Sequence, residues 1–293
     1  MAHVQPLYIA ARRVLLDALH TLDRHRDAVV LVGAQAIYLQ AGDADLDASV
    51  APFTADADLS IDPDKLGPDP RIAEAMQAGG FHLKIKGGNG GEEPGTWLAT
   101  TTVDGRNVDV PVDLLVPESM APATRGRRDA RLPEHGRNAT RWTPGIESAV
   151  RDNTEMVITS LEPEVDGRSA KVRVASPGAL LVAKAHKIAE RLDDGGQGRI
   201  HRVKAKDAGD VYRLMTSPAS PTQIGTRLRE LADDPVCGGS VRAGVDRLDR
   251  LFGASNADGV ALATHALAAA VPEDRIRQLA PAYLAALLAA YRD

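Results

Sequence analysis

The segment FTADADLSID, residues 53–62, constrains the fold of this chain more than any other. Side chains of a β-strand alternate between two faces, so alanine, leucine and isoleucine share one face here, and threonine, aspartate and serine share the other. The apolar face is typical of a strand that packs on a core. The polar face places Asp56 and Asp58 side by side, roughly 7 Å apart along the strand. Because two like charges so placed repel, the pattern indicates a cation between them.

A second predicted strand, VDVPVDLLV at 108–116, also has one wholly apolar face. Its other face carries Asp109 and Asp113, so we expect Asp113 on the same side of the sheet as Asp56 and Asp58. Three carboxylates from two strands suit two Mg²⁺ ions, since Mg²⁺ prefers oxygen ligands and also takes phosphate oxygens of a substrate. Solvated edge-strand aspartates are the alternative, although aspartate is disfavoured in strands. Asp109 either orients the metal-binding carboxylates without binding the metal itself or is simply exposed to solvent.

The stretch LVGAQA, residues 31–36, predicts a short buried strand, a glycine and a helix. A helix N-terminus presents unpaired backbone N–H groups and the positive end of its dipole. Gly33, followed by Ala34, would let a phosphate approach the backbone closely, because glycine has no β-carbon. A plain strand-to-helix turn is the alternative.

The pattern changes from mixed to helical at Ser176. We therefore predict an α+β protein, with a mixed-sheet domain at 1–175 and a mostly helical domain at 176–293. A length of 293 residues is comfortable for two domains.

Bulk properties exclude several classes of protein. The net charge of −5 argues against attraction of nucleic acid by the whole surface, so any RNA binding must be local. The single cysteine, Cys237, excludes an internal disulfide framework and fits a reducing compartment. No apolar run approaches the roughly 18 residues of a membrane span. We expect a cytoplasmic protein with no membrane partner.

The segment 176–192 predicts a helix with Ser176 as its N-cap and a proline at its first position. Lys184, Lys187 and Arg191 share one of its faces. A solvated charged face is the purely structural interpretation of these three cations.

A further predicted helix, 206–215, carries Asp207 and Asp210 one turn apart. An ion pair with Lys204 or Lys206 is the structural alternative for Asp207.

An arginine-rich loop follows the strand that carries the third carboxylate. Clustered arginines bind phosphates well, so this loop is a candidate RNA-backbone site. A solubilising surface loop is the alternative. The loop spans residues 121–142 and carries Arg125, Arg127, Arg128, Arg131, Arg137 and Arg141, of which the first four are the candidate RNA contacts.

Taken in order, these segments resemble the nucleotidyltransferase fold of the DNA polymerase β-like superfamily. The order is a helix, a strand–glycine–helix turn, an Asp-x-Asp strand and a later strand with one aspartate. The superfamily's usual Gly-Gly or Gly-Ser turn is replaced here by Gly33-Ala34.

The region from about 29 to 215 resembles, more narrowly, the AbiEii-type nucleotidyltransferases of bacterial abortive-infection and toxin–antitoxin systems, including the MenT-like toxins of mycobacteria. Those proteins carry a K-x-H helix followed by a (K/R)-x-x-D-x-x-D helix. The matching residues here are Lys184-Ala185-His186, then Lys206-Asp207 and Asp210-Val211. His186 is expected to be a helix-surface or hydrogen-bonding residue rather than a metal ligand.

The resemblance implies transfer of NMP from an NTP to an acceptor, with Mg²⁺ held by the three strand aspartates and Asp207 required for catalysis. It further implies a tRNA acceptor, the role of a growth-inhibiting toxin and a possible cognate antitoxin. Two alternatives stay open: a small-molecule acceptor such as an aminoglycoside, and a catalytically degenerate nucleotide-binding protein. Contact with the nucleotide is expected from the Gly33-Ala34 turn, Thr54, Ser60, Lys184, Lys187 and Arg191.

Overall fold

The computed structural model describes residues 5–42, 54–87, 90–121, 129–195 and 203–293. Within these ranges the strands are β1 (Val29–Val32), β2 (Ala57–Ile61), β3 (His82–Ile85), β4 (Glu92–Val103), β5 (Arg106–Pro117), β6 (Arg141–Thr143), β7 (Asn153–Thr159) and β8 (Ser169–Ala175). The helices are α1 (Pro6–Thr21), α2 (Gly33–Ala41), α3 (Ile72–Ala78), α4 (Glu147–Arg151), α5 (Pro177–Asp194), α6 (Ala205–Met215), α7 (Pro221–Ala232), α8 (Gly238–Phe252), α9 (Asp258–Leu267) and α10 (Glu273–Arg292). The predicted α+β class is confirmed.

The described strands form one mixed sheet in the order β3-β4-β5-β2-β1-β8-β7, with β6 beside β5. Strand β2 lies near the centre, antiparallel to β1 and parallel to β5. In this register Asp58 stands next to Val32 of β1 on one side and next to Asp113 of β5 on the other. Neighbouring residues of paired strands point to the same face of a sheet, so the predicted placement of Asp58 and Asp113 on one side is confirmed.

Strand β2 is shorter than the predicted strand 54–62. The residues before it satisfy their polar groups locally: the hydroxyl of Thr54 donates to the carboxylate of Asp56, and the side chain of Gln35 donates to the backbone carbonyl of Asp56 at 3.1 Å. Asp56 therefore precedes the strand that carries Asp58.

The apolar face of β5 predicted from the sequence is buried at Val110, Val112, Leu114 and Val116. Helix α1 packs across β2, β4, β5 and β8, and its apolar residues join the same core. This packing fixes the sheet on which the aspartates stand.

The last strand ends at Ala175, and α5 begins at Pro177 with the side chain of Ser176 accepting a hydrogen bond from the backbone N–H of Ala179. Every element from there to the end of the described chain is a helix. Helix α5 contacts α2, α6 and α8, so it brings the helical part directly against the strand–glycine–helix turn. In the described part of the chain, no helix is both long and apolar enough to span a membrane.

Candidate functional site

A cavity of about 700 Å³ lies where the sheet meets α5. Five of the residues predicted from the sequence line it: Gly33, Asp58, Lys184, Lys187 and Arg191. They come from α2, β2 and α5. The structure thus brings a carboxylate, a glycine turn and a cluster of cations to one space.

The carboxyl group of Asp58 is held in this cavity close to two other acidic residues. Burial, together with the negative charges of Asp56 and Asp113, raises the pKa of Asp58 to about 6. The positive charges of Lys187 and Arg141 oppose this rise. A carboxyl group in this position favours a further cation close to it, as the sequence pattern indicated.

Gly33 lies directly against Asp58. It has a φ of +69°, and a β-carbon at this position would lie 2.0 Å from Oδ2 of Asp58. Only glycine combines this backbone conformation with so close an approach. The N-terminus of α2 therefore adjoins the carboxylate of Asp58, whereas the approach of a phosphate at this glycine stays a prediction.

Three predicted nucleotide-binding residues are buried instead of lining the cavity. Ala34 and Ser60 are almost inaccessible, and no described residue makes a hydrogen bond with the hydroxyl of Ser60. Thr54 is also buried, and its hydroxyl donates to the carboxylate of Asp56. In this structure the side chain of Thr54 orients an acidic residue and does not face the cavity.

The third predicted carboxylate, Asp113, is already paired. Nη2 of Arg141 donates to Oδ2 of Asp113 at 2.5 Å, and the hydroxyl of Thr96 donates to its Oδ1 at 2.7 Å. Arg141 lines the cavity beside Asp58. Sequence reasoning placed Arg141 in the arginine-rich loop, but the pairing with Asp113 has no local sequence signal.

The cations of α5 converge on the acidic pair of α6. Nζ of Lys184 lies 2.7 Å from Oδ1 of Asp207 and 2.7 Å from Oδ2 of Asp210, and all three side chains are buried. Asp207 also pairs with Lys187 at 3.3 Å and with Arg191. Asp207 therefore pairs with three cations of another helix. The described contacts of Asp207 do not support the alternative of a pair with Lys204 or Lys206.

The charges of this cluster stabilise one another strongly. Burial alone would lower the pKa of Lys184, but the carboxylates of Asp210 and Asp207 outweigh it and raise that pKa well above its ordinary value. Burial likewise opposes ionisation of Asp207, yet the cations Lys184, Lys187 and Arg191 hold its pKa well below the usual range. Lys184 and Asp207 are therefore both charged at neutral pH.

Lys187 connects the acidic cluster of α6 to the aspartate of the sheet. Its side chain is about half exposed, lines the cavity and lies within electrostatic range of Asp58. Partial burial and the nearby charge of Lys184 lower the pKa of Lys187, while Asp207 and Asp58 oppose this. Lys187 is the cation of α5 best placed to meet an anionic ligand beside Asp58.

The other predicted residues of the motif regions lie elsewhere. One ring nitrogen of His186 is 2.9 Å from the carbonyl of Ser240, so it joins α5 to α8 by the expected hydrogen bond. Arg131 pairs with the buried Asp129 at 3.2 Å. Arg125, Arg127 and Arg128 lie outside the described residues.

Sequence reasoning missed a buried polar chain behind the site. The side-chain amide of Gln35 donates to the carbonyls of Asp56 and Ala11, at 3.1 and 3.2 Å. Nε of Arg12 donates to the side-chain oxygen of Gln35 at 2.8 Å. The sequence did contain a signal for this chain of hydrogen bonds. Arg12 in α1 and Gln35 in α2 are each a polar residue within an otherwise apolar helix face.

The donor chemistry of Asp56 and Asp58 fits a magnesium ion. Among the described residues, no three His, Cys, Asp or Glu side chains are grouped as a metal cage. Magnesium, however, is commonly held by one or two carboxylates, with waters and substrate phosphates completing its shell. The crowding that raises the pKa of Asp58 and the approach that Gly33 permits favour a cation at this pair. Asp113 fits less well, because Arg141 neutralises it.

Residues from β2, α2, α5 and β6 meet at this cavity, although they are distant in the sequence. No protein-family model matches the chain, and no curated protein matches it. What these residues can do chemically therefore follows from their geometry and from the motifs they form.

Proposed function

We propose that the protein is a Mg²⁺-dependent nucleotidyltransferase that moves NMP from an NTP to an acceptor and releases pyrophosphate. One observation carries the proposal: Asp58, two residues from Asp56, lines the same cavity as Lys187, Arg191 and the turn at Gly33. Acidic groups for a metal and basic groups for phosphates are the two parts that phosphoryl-transfer chemistry requires.

The chain's own residues bind and orient the reactants. Asp56 and Asp58 would hold the ion, and Mg²⁺ bound there would neutralise charge on the reacting phosphate. Lys187 and Arg191 are placed to bind the remaining phosphate oxygens, since both line the cavity. Catalysis of this kind depends mainly on positioning and charge neutralisation.

Asp207 has a role in this proposal although it is not among the residues that line the cavity. It holds Lys184, Lys187 and Arg191 together through ion pairs. Its loss would leave three positive side chains without their common anchor. A requirement for Asp207, which the motif resemblance implies, thus has a physical reason in the arrangement of α5 and α6.

An RNA acceptor, in particular tRNA, and the role of a toxin with a cognate antitoxin are proposed on the motif resemblance. A small cationic acceptor is the second candidate, because Glu92, Glu93 and Glu190 line the same cavity. The negative charges of these residues would attract the amines of an aminoglycoside.

The test incubates the protein with Mg²⁺, each α-labelled NTP in turn and total RNA. We expect label in RNA with the wild type and none with Asp56→Asn/Asp58→Asn. Asp109→Asn is the matched control, because this exposed aspartate of β5 bonds only with Thr100 among the contacts described.

Other outcomes select among the candidates. Label in an added aminoglycoside, but not in RNA, would favour the small-molecule acceptor. Mg²⁺-dependent binding of NTP without transfer to either acceptor would favour a degenerate nucleotide-binding protein.

A further inference from the structure

The carboxylate of Asp113 is enclosed by two donors from different strands. Arg141 donates to one of its oxygens at 2.5 Å, and Thr96 donates to the other at 2.7 Å. Arg141 also donates to the hydroxyl of Thr96, at 3.3 Å. Each residue of this triad, which comprises Asp113, Arg141 and Thr96, contacts both others.

The pairing of β6 with β5 brings Arg141 close to Asp113. Strand β6 runs parallel to β5, with Arg141 next to Leu115. Gly95 of β4 has a φ of +72°, and a β-carbon there would lie 2.6 Å from the backbone nitrogen of Arg141 and 2.9 Å from its Cγ. The approach of β6 to the sheet therefore depends on a glycine that immediately precedes Thr96.

The pair is also sheltered from water. The side chains of Arg141 and Asp113 are only 24% and 17% exposed. A charge-assisted hydrogen bond between partly buried groups is stronger than a surface ion pair. A metal ion that used Asp113 would have to displace this guanidinium, which remains charged at any ordinary pH.

We propose that Arg141 takes the place of a second divalent cation, so that the protein holds one Mg²⁺ at Asp56 and Asp58 and none at Asp113. The inference rests on the proposed function and departs from the expectation of two ions. Charge balance supports it, because one divalent ion and one guanidinium together neutralise the three carboxylates. Arg141 also lines the cavity in which phosphates would bind.

The test measures how many Mn²⁺ ions bind per chain, by electron paramagnetic resonance, with and without a non-hydrolysable NTP analogue. Wild type and Asp113→Asn should each bind one ion, with affinities within about tenfold of each other, since only a neighbouring charge is lost. Arg141→Gln should gain a second ion, because it frees Asp113. The double variant Asp113→Asn/Arg141→Gln should bind one ion again.

Two ions in the wild type and one in Asp113→Asn would overturn the inference and leave the proposed function intact. No bound ion in the wild type, with or without the nucleotide analogue, would overturn both. If Arg141→Gln does not fold, the comparison of wild type with Asp113→Asn decides the question alone. The variant Arg141→Lys keeps the positive charge but lacks the planar set of N–H donors of the guanidinium, and it should bind one ion.

Discussion

Gly33 and Asp58 are in contact so close that no other residue fits at position 33: a β-carbon there would lie 2.0 Å from Oδ2 of Asp58. We predict that Gly33→Ala lowers the free energy of unfolding by more than the roughly 1–3 kcal/mol that a strained backbone costs alone, and that it weakens binding of Mn²⁺. Chemical denaturation and Mn²⁺ titration would measure the two effects.

Gly42, at the other end of α2, provides the matched control for Gly33. It also has a positive φ, +57°, but a β-carbon there would meet nothing within 4 Å. Gly42→Ala should therefore show only the backbone cost and leave Mn²⁺ binding unchanged. Equal losses in the two variants would show that the contact with Asp58 is unimportant.

Asp58→Asn should stabilise the metal-free protein at pH 8 and have little effect at pH 4. Burial and the charges of Asp56 and Asp113 raise the pKa of Asp58 to about 6. When the pKa of a carboxyl group is higher in the folded state than in the unfolded state, ionisation of that group lowers the free energy of unfolding. This cost begins as the pH rises above about 4 and is complete above about 6.

The expected gain at pH 8 is on the order of 3 kcal/mol, because the pKa of Asp58 rises by about two units and one unit corresponds to about 1.4 kcal/mol. Urea unfolding at the two pH values, in buffer with a chelator, would measure it. The same variant should lose Mn²⁺ binding, so stability and function would change in opposite directions. A gain of equal size at both pH values would contradict the prediction, since ionisation could not then be its source.

Local patterns in the sequence were enough to predict one side of the candidate site. A period of two along β2 and β5 placed Asp58 and Asp113 on one side of the sheet, and the register of the two strands confirms it. The turn at Gly33 was predicted because a strand, a glycine and a helix follow one another directly in the chain. These features depend on neighbours in the sequence.

The partners of the charged residues could not be predicted in the same way. Arg141 reaches Asp113 only because β6 lies beside β5, with Gly95 making room for it. The three cations of α5 were visible on one helix face, but their convergence on Asp207 depends on how α5 packs on α6. Such contacts join segments that are distant in the sequence, so the pattern of polar and apolar residues within one segment does not predict them.

Lys184→Met should strongly destabilise the protein. The substitution leaves Asp207 and Asp210 buried without the ammonium group that lies 2.7 Å from each. Removal of one partner from a buried ion pair typically costs about 3–5 kcal/mol. Asp207 would keep its pairs with Lys187 and Arg191, but the buried Asp210 would keep, among the described ion pairs, only Lys206 at 3.8 Å. Denaturant unfolding at pH 7 would measure the loss.

Lys206→Met is the control for Lys184→Met. Lys206 is half exposed and lies 3.8 Å from Asp210, so its removal should cost less than about 1 kcal/mol. A similar loss in both variants would mean that the buried position of Lys184 is not what matters.

The contribution of the Lys184–Asp207 pair should be constant from about pH 5 to pH 9. The lowered pKa of Asp207 means that its contribution is complete above the ordinary value near 4 and is lost at more acidic pH. The raised pKa of Lys184 means that its contribution is complete below about 10 and is lost at more alkaline pH. The stability difference between wild type and Asp207→Asn, followed by urea unfolding, should be flat from about pH 5 to pH 7. At more alkaline pH it also reports Lys187, because Asp207 opposes the lowering of the Lys187 pKa. A steady slope would contradict the assignment.

Gln35→Met should lower the free energy of unfolding by about 1–3 kcal/mol, the usual cost of leaving buried polar groups unpaired. Gln35 bonds to the carbonyls of Asp56 and Ala11 and accepts from Arg12, so methionine would free all three groups. Mn²⁺ binding should also weaken, because Asp56 loses the contact that holds its backbone.

Gln40→Met is the matched control on the same helix, since the amide of Gln40 bonds to a carbonyl of β8 and does not contact Asp56. Denaturant unfolding and Mn²⁺ titration of both variants decide the matter: if Gln40→Met weakens Mn²⁺ binding as much as Gln35→Met, the chain from Arg12 to Asp56 does not position the acidic pair.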